Sequence, residues 1–241
     1  MRSSVSREAA VRPTGADHKT PAPGPVAQHR TPAASPDRAS REATVQDLEA
    51  IVTVHLQAFP GFFLTQLGQG FLRGYYRTVL HYDQGLLLVA ESGGEVVGFV
   101  AGSCQPEGFY KLLKSSKLRL GLSALPALLR RPGLLKRLLA NFRRTSDQAQ
   151  PTYEHGAELA SIGVLPDYAG QGLGQALTRA FLARARQNGA RIVYLTTDTD
   201  NNERVNRFYD RLGFILQRTF EAPGPRTMNE YIYPLDKEEP L

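Results

Sequence analysis

The chain has 241 residues, a formal net charge of +6 and one cysteine, Cys104. A single cysteine excludes an intrachain disulfide framework and a cysteine-rich metal site, and no apolar run approaches the ~18 residues that a membrane-spanning helix needs. The charge is uneven. Residues 1–41 carry seven Lys/Arg against three acids, and residues 109–144 carry ten Lys/Arg and no acid, so the remainder is acidic. Basic character confined to two segments argues against a nucleic-acid-binding fold, and the cysteine usage suits a reducing cytoplasm.

Residues 1–40 are rich in Pro, Ala, Ser, Thr and Arg with almost no large apolar side chains. Such a stretch buries too little surface to offset the entropy of ordering, and it is predicted to be a disordered tail. Its Arg and Ser content also fits an organellar transit peptide, but Pro21, Pro23, Pro25, Pro32 and Pro36 would break the amphipathic helix such peptides form. It has no apolar core of the secretory kind.

Residues 41–236 are predicted to form one domain. Thr44 as N-cap with Asp47 as its acceptor opens a helix carrying Leu48, Ile51, Val52, His55, Leu56 and Phe59 at helical spacing. His55 lies on its apolar side, where a packed histidine and a substrate contact are both readings. Pro60-Gly61 ends that helix. Residues 62–80 read as a second helix with Phe63, Leu67, Phe71 and Tyr75 on one face, weakened by Gly68, Gly70 and Gly74. Two strands, 85–91 and 95–103, follow around the hairpin signal Ser92-Gly93-Gly94. Cys104 closes the second strand and reads as a small packed hydrophobe, since no basic neighbour in sequence lowers its pKa.

A basic insertion, 105–156, comes next. Leu134, Leu135, Leu138, Leu139 and Phe142 share a helical face, and Pro126 and Pro132 divide the segment. Three roles fit residues 109–144: a packed insertion, a lid over a pocket, or an element touching an anionic membrane through its cations and leucines. A strand at 158–164 then leads through Pro166-Asp167-Tyr168 to the glycine cluster at 170–174. After it Ala176, Leu177, Ala180, Phe181 and Ala185 recur at helical spacing. Glycines at a helix start let unpaired first-turn N–H groups and the helix dipole meet a phosphate. A dinucleotide-binding fingerprint and a plain turn without ligand compete with that reading; in the former the strand runs almost directly into the first glycine, whereas here residues 165–169 intervene.

A second block, Asn202 to Phe214, narrows the choice. With it the chain resembles the GNAT acyltransferase superfamily, whose acetyl-CoA site joins an [Arg/Gln]-x-x-Gly-x-[Gly/Ala] loop to a later Asn-x-x-Ala-x-x-x-Tyr-x-x-x-Gly-Phe helix. The resemblance covers residues 41–235, apart from the basic insertion. Ala169 stands where the loop has Arg or Gln, and Val205 where the helix has Ala.

The resemblance implies an α/β fold with a GNAT-like mixed, mostly antiparallel central sheet flanked by helices. It also implies acetyl-CoA as co-substrate, no metal, and transfer of the acetyl group to a primary amine by direct attack in a ternary complex. The main chain of Ile162, Gly163 and Val164 is expected to bind pantetheine, and the N–H groups of Gln171, Gly172, Leu173 and Gly174 the phosphates. Asn202 is expected beside the pantetheine arm or as a helix cap. Glu158, opening the central strand, is the expected general base, with His155 and Asp198 in reserve, and Tyr209 the expected acid for the departing thiolate. The acceptor is expected among amino sugars, nucleotide- or lipid-linked, or other small amines. A non-catalytic acyl-CoA sensor and a membrane-associated adaptor acting through 109–144 are the alternatives. Strands at 214–220 and 228–233 around Pro223-Gly224-Pro225 close the domain, and 237–241 is a polar tail.

Overall fold

The run Leu86-Leu87-Leu88-Val89-Ala90 has no polar face, which marks a strand covered on both sides. In the computed structural model, which describes residues 40–115, 121, 123, 124, 127, 153–222 and 226–236, it is the middle of β2 (Gly85–Ser92). Leu86, Leu88 and Ala90 pack into one core cluster and Leu87 and Val89 into the other.

The sheet has seven strands: β1 (Ser40–Glu42), β2, β3 (Glu95–Cys104), β4 (Gly156–Val164), β5 (Ile192–Asp198), β6 (Ile215–Ala222) and β7 (Arg226–Pro234). Their order is β1-β2-β3-β4-β5-β7-β6. Every pairing is antiparallel except β4 with β5. β7 inserts between β5 and β6, so the last two strands extend the sheet from its middle outward. The β2–β3 hairpin turns on Gly93 and Gly94, both at positive φ (61° and 84°), as a two-residue turn of primed type requires.

One face of the sheet carries α1 (Leu48–Ala58), α3 (Gln69–His81) and α4 (Pro106–Ser115), whose Ile51, Leu72, Tyr76 and Phe109 meet Leu87, Val89, Phe99 and Ala101. The other carries α5 (Leu173–Gln187) and α6 (Glu203–Arg211), whose Leu177, Phe181 and Tyr209 meet Val100, Leu159, Val193 and Leu195. Thr44 donates from its N–H and its hydroxyl to Asp47, at 2.7 and 2.8 Å. Arg41 in turn ties Asp47 to Glu91 of β2 and holds the Asp47 carboxyl well below the usual range.

Two expectations change. The helix predicted over 62–80 is two helices, α2 (Phe63–Gln66) and α3, because Gly68 adopts φ 89°, outside the helical region. Glu158 does not open its strand: β4 begins at Gly156, and Glu158 is its half-buried third residue. Of the basic insertion, α4 is described, and it packs on the domain through Phe109. The leucine face predicted at 134–142, the tails at 1–39 and 237–241 and the turn at 223–225 lie outside the described residues. Among the described residues no helix is long and apolar enough to cross a membrane.

Candidate active site

The site begins as a failure of strand pairing. β4 and β5 are in register only at Gly156↔Ile192, Ala157↔Val193 and Glu158↔Tyr194. Beyond that point β4 runs on to Val164 and β5 to Asp198 without pairing to each other, so the sheet splits into a V with Glu158 at its vertex. A bulge accompanies the split. Ala101 faces Ser161 and Gly102 faces Leu159, so Ala160 has no partner on β3 and is exposed in the gap. An extra residue bends its strand and increases the local twist.

The V opens into a cleft of about 490 Å³. The β4 wall supplies Leu159, Ala160, Ser161, Ile162 and Val164, and the β5 wall Leu195, Thr196, Thr197 and Asp198. Gly174 of α5 and Asn202, Arg204, Val205, Phe208 and Tyr209 close the end on the α5–α6 face of the sheet. His55, Phe59, Phe62, Phe63 and Leu64, from the α1–α2 region, line the end on the opposite face.

On β4 the main chain divides its work. The Leu165 N–H donates to Val97 O at 2.9 Å. Because an antiparallel ladder alternates, Gly163 also turns its main chain to β3, opposite Phe99, while Ile162 and Val164 turn theirs to the gap. Of the three residues expected to present their backbone to a ligand, two therefore face the cleft. Gly163 serves packing instead: a Cβ there would come within 3.0 Å of Phe99 and 3.2 Å of Ala58 and Phe59.

At the α5 end, Gly172 is the residue before the helix and holds φ 82°, ψ −1°, the left-handed region that side chains with a Cβ adopt at a cost. The Ala176 N–H is bonded to Gly172 O, so the N–H groups of Leu173, Gly174 and Gln175 precede the first bond of the helix. Asn202 precedes α6 without capping it through its side chain; its Nδ2 donates to Asp198 O at 3.1 Å, and Asn206 Nδ2 reaches the same carbonyl at 3.3 Å. Thr197 donates to Asn206 Oδ1 at 2.6 Å, so the open end of β5 is laced to α6. Val205 is 39% exposed and lies along the cleft.

Two titratable groups flank this space. Tyr209 is buried among Phe208, Phe214 and Tyr231, and burial pushes its hydroxyl far up, so it is protonated at neutral pH. Glu158 turns to the α3–α4 face, where the Tyr110 hydroxyl donates to both its oxygens at 2.9 and 3.1 Å. Burial pushes its carboxyl up to about 7, the Tyr110 bond opposing the rise. The two reserves lie otherwise: His155 is exposed beside Glu154, 3.9 Å away, and away from the cleft lining. Asp198 lines the cleft but accepts both Nε and Nη2 of Arg226, at 2.9 and 2.7 Å.

Tyr110 was not singled out from the sequence, because it sits in the basic segment 48 residues from its partner. Arg204 and Phe208, which line the cleft from α6, were not singled out either; their signal was the helical spacing that puts them one turn apart, beside Tyr209.

The profile of the Acetyltransferase (GNAT) family matches residues 49–214. An uncharacterized N-acetyltransferase of Methanocaldococcus jannaschii is 25% identical over 175 residues, 72% of this chain and 59% of its own length. This chain thus spans about three-fifths of that relative. A GNAT-family structure from Desulfovibrio desulfuricans superposes with a TM-score of 0.55 at 17% identity, covering 82% of this chain and 98% of its own. The yncA protein of Salmonella typhimurium, solved with its cofactor acetyl-CoA, gives 0.54 at 15% identity, with 84% and 96% covered. At those identities the two structures establish the fold.

Proposed function

The chain belongs to the Acetyltransferase (GNAT) family, and from that premise we propose that it is an N-acetyltransferase moving the acetyl group of acetyl-CoA to a primary amine by direct attack in a ternary complex. The observation that carries this reading is the position of Glu158: a carboxyl with a pKa near 7 at the vertex of the V, one residue from the cleft wall that Leu159 begins.

The split sheet fits a long, thin ligand. Ile162 and Val164 offer main-chain N–H and C=O groups to a pantetheine arm as a sheet edge offers them to an added strand. The first-turn N–H groups of α5, preceded by Gly172, suit the phosphates. When bound, acetyl-CoA supplies an acyl carbon whose thiolate is a good leaving group. The nitrogen lone pair of the amine forms the new C–N bond as the C–S bond breaks. Glu158, directly or through a water at the vertex, takes the proton that the nitrogen loses, and its raised pKa suits a base working near neutrality. A main-chain N–H on β4 polarises the carbonyl oxygen. Tyr209, protonated and on the cleft wall, returns a proton to the sulfur.

Phe59, Phe62, Phe63 and Leu64 make the far end of the cleft apolar. This favours an amine with an apolar flank over a bare amino sugar. The test is calorimetric binding of acetyl-CoA to wild type and Gly172→Trp, followed by thiol release with a panel of amines. Binding that the tryptophan weakens at least tenfold, with thiol release, is the expected result. Absence of binding to the wild type overturns the reading, and binding without release from any amine turns it towards a sensor.

A further inference from the structure

His55 is 3% exposed and yet lines the cleft. Its Nδ1 lies 2.6 Å from the Tyr76 hydroxyl, while its Nε2 is almost closed to solvent and has no hydrogen-bond partner among the described residues. Buried polar atoms without partners are rare, since leaving one unmade costs more than a made bond gains. One that borders a ligand cleft is a group waiting for a ligand atom.

Which atom follows from the ring's protonation. Burial pushes the His55 pKa down to about 4, so the imidazole is neutral at neutral pH and carries one proton. Tyr76 is fully buried, with the Ser161 side chain beside its hydroxyl. A phenol is the better donor and an unprotonated ring nitrogen the better acceptor of this pair. The favoured sense is Tyr76 O–H to Nδ1, which leaves the proton of His55 on Nε2. The surroundings of the ring are Phe59, at 4.8 Å between centroids, and Phe99, at 6.2 Å, with Phe62, Phe63 and Leu64 further along the wall. A neutral donor in an apolar pocket suits a neutral oxygen: a carboxylate would lose more hydration there than one uncharged N–H returns.

We propose that His55 is a substrate-binding residue whose Nε2–H donates to a neutral carbonyl oxygen in the cleft, so that the acceptor is an amine bearing an apolar group and an amide-type carbonyl. The proposal rests on the acetyltransferase reading for the identity of the reaction, not for the contact itself. The thioester carbonyl of acetyl-CoA is the other source of the same chemistry. His55 reaches the cleft from α1, on the face of the sheet opposite α5 and α6, which favours the acceptor.

The experiment is ring-nitrogen NMR on ¹⁵N-histidine-labelled full-length protein at pH 7, titrated in turn with acetyl-CoA, phenylalaninamide and phenethylamine, the last two alike except for the carboxamide. The free protein is expected to show His55 as the Nε2–H tautomer. Phenylalaninamide is expected to move Nε2 where phenethylamine does not; movement with acetyl-CoA alone would instead assign the carbonyl to the thioester. An Nδ1–H tautomer, or an Nε2 resonance unmoved by any of the three, overturns the proposal.

His55→Phe keeps the ring volume and is expected to raise KM for phenylalaninamide about three- to tenfold over its effect on phenethylamine, the range of one lost hydrogen bond, with calorimetric affinity for acetyl-CoA unchanged. Equal KM effects on both amines count against the contact. Should that variant fail to fold, Tyr76→Phe releases the tautomer and is expected to weaken the amide selectively. If acetyl-CoA does not bind, the function falls, and the tautomer and the amide titration still decide the contact.

Discussion

At the α5 end of the cleft the groups offered to a ligand are main-chain N–H groups beyond Gly172 and the free main-chain edge of Ile162 and Val164. At the vertex and the α1 end they are side chains: Glu158 held by Tyr110, and His55 held by Tyr76. The first kind of site depends on backbone shape and tolerates changes of side chain that leave φ and ψ alone. The second depends on titratable groups drawn out of water, each positioned by a tyrosine from another element, and a single atom replaced there changes the chemistry. The donor end should therefore respond to mutation mainly in affinity, and the proton-handling end mainly in rate and pH dependence.

The largest effect is expected from Glu158→Gln, which keeps the shape and removes the proposed base. The rate constant kcat should fall about a hundredfold or more, with acetyl-CoA affinity unchanged. The wild-type rate should rise with pH as Glu158 ionises near pH 7, and the variant should lose that limb. Stability should move the other way. A carboxyl whose pKa is raised in the folded state binds its proton more tightly there than in the unfolded chain. The folded state then loses stability as pH climbs from the ordinary carboxylate range through about 7, and carries the full penalty above it. Thermal unfolding should find Glu158→Gln more stable than wild type at pH 8 and no more stable at pH 4. An inactive variant with no such pH-dependent gain would mean that the carboxyl is not desolvated as described.

Tyr209→Phe comes second. Its ring packing against Phe208, Phe214 and Tyr231 survives the change, so melting temperature should hold. The rate should fall about ten- to a hundredfold through loss of the proton for the thiolate. A fall confined to acetyl-CoA affinity would place Tyr209 with the backbone-built end.

The same contrast explains how much of the site could be read in the sequence. Gly172 was legible because its left-handed backbone and the apolar period of α5 are local facts, written within 15 residues. Glu158 was singled out through the family resemblance, as the residue expected to open its strand; that it lies inside β4 under Tyr110 could not be read, since that comes from α3 and α4 closing over the strand. The Tyr110–Glu158 and His55–Tyr76 pairs join residues 48 and 21 positions apart. No spacing rule connects them; the sheet order does. The individual strands and helices were legible for the reason the α5 end was, through short periodic segments, and the mostly antiparallel sheet only through the family resemblance. The break at Gly68 was not, because glycine is also tolerated within a helix at a modest cost.

Tyr110→Phe sharpens the comparison at the vertex. Its hydroxyl stabilises the Glu158 carboxylate, so its loss should raise that pKa further and shift the rising limb of the rate profile to higher pH. Activity at pH 7 should fall severalfold and recover on the plateau at high pH. A uniform loss at every pH would show that Tyr110 supports the fold of α4 instead of tuning the base.

The smallest effect is expected at the donor end, from Arg204→Ala. Ala169 brings no cation to the loop before α5, and Arg204, exposed on the first turn of α6, lines the same end of the cleft from the opposite wall. A solvent-exposed cation facing a phosphate contributes little in water and less in salt. The substitution should weaken acetyl-CoA about two- to fivefold at low ionic strength, the order of one exposed ion pair, and the difference should vanish near about 0.5 M salt, where charges more than a few Å apart are screened. A loss that persists in high salt would mean that Arg204 makes a desolvated contact, and that the donor end, too, depends on a buried side chain. No loss at any salt would leave the main-chain groups of α5 to hold the phosphates unaided, the purest form of the contrast between the two ends.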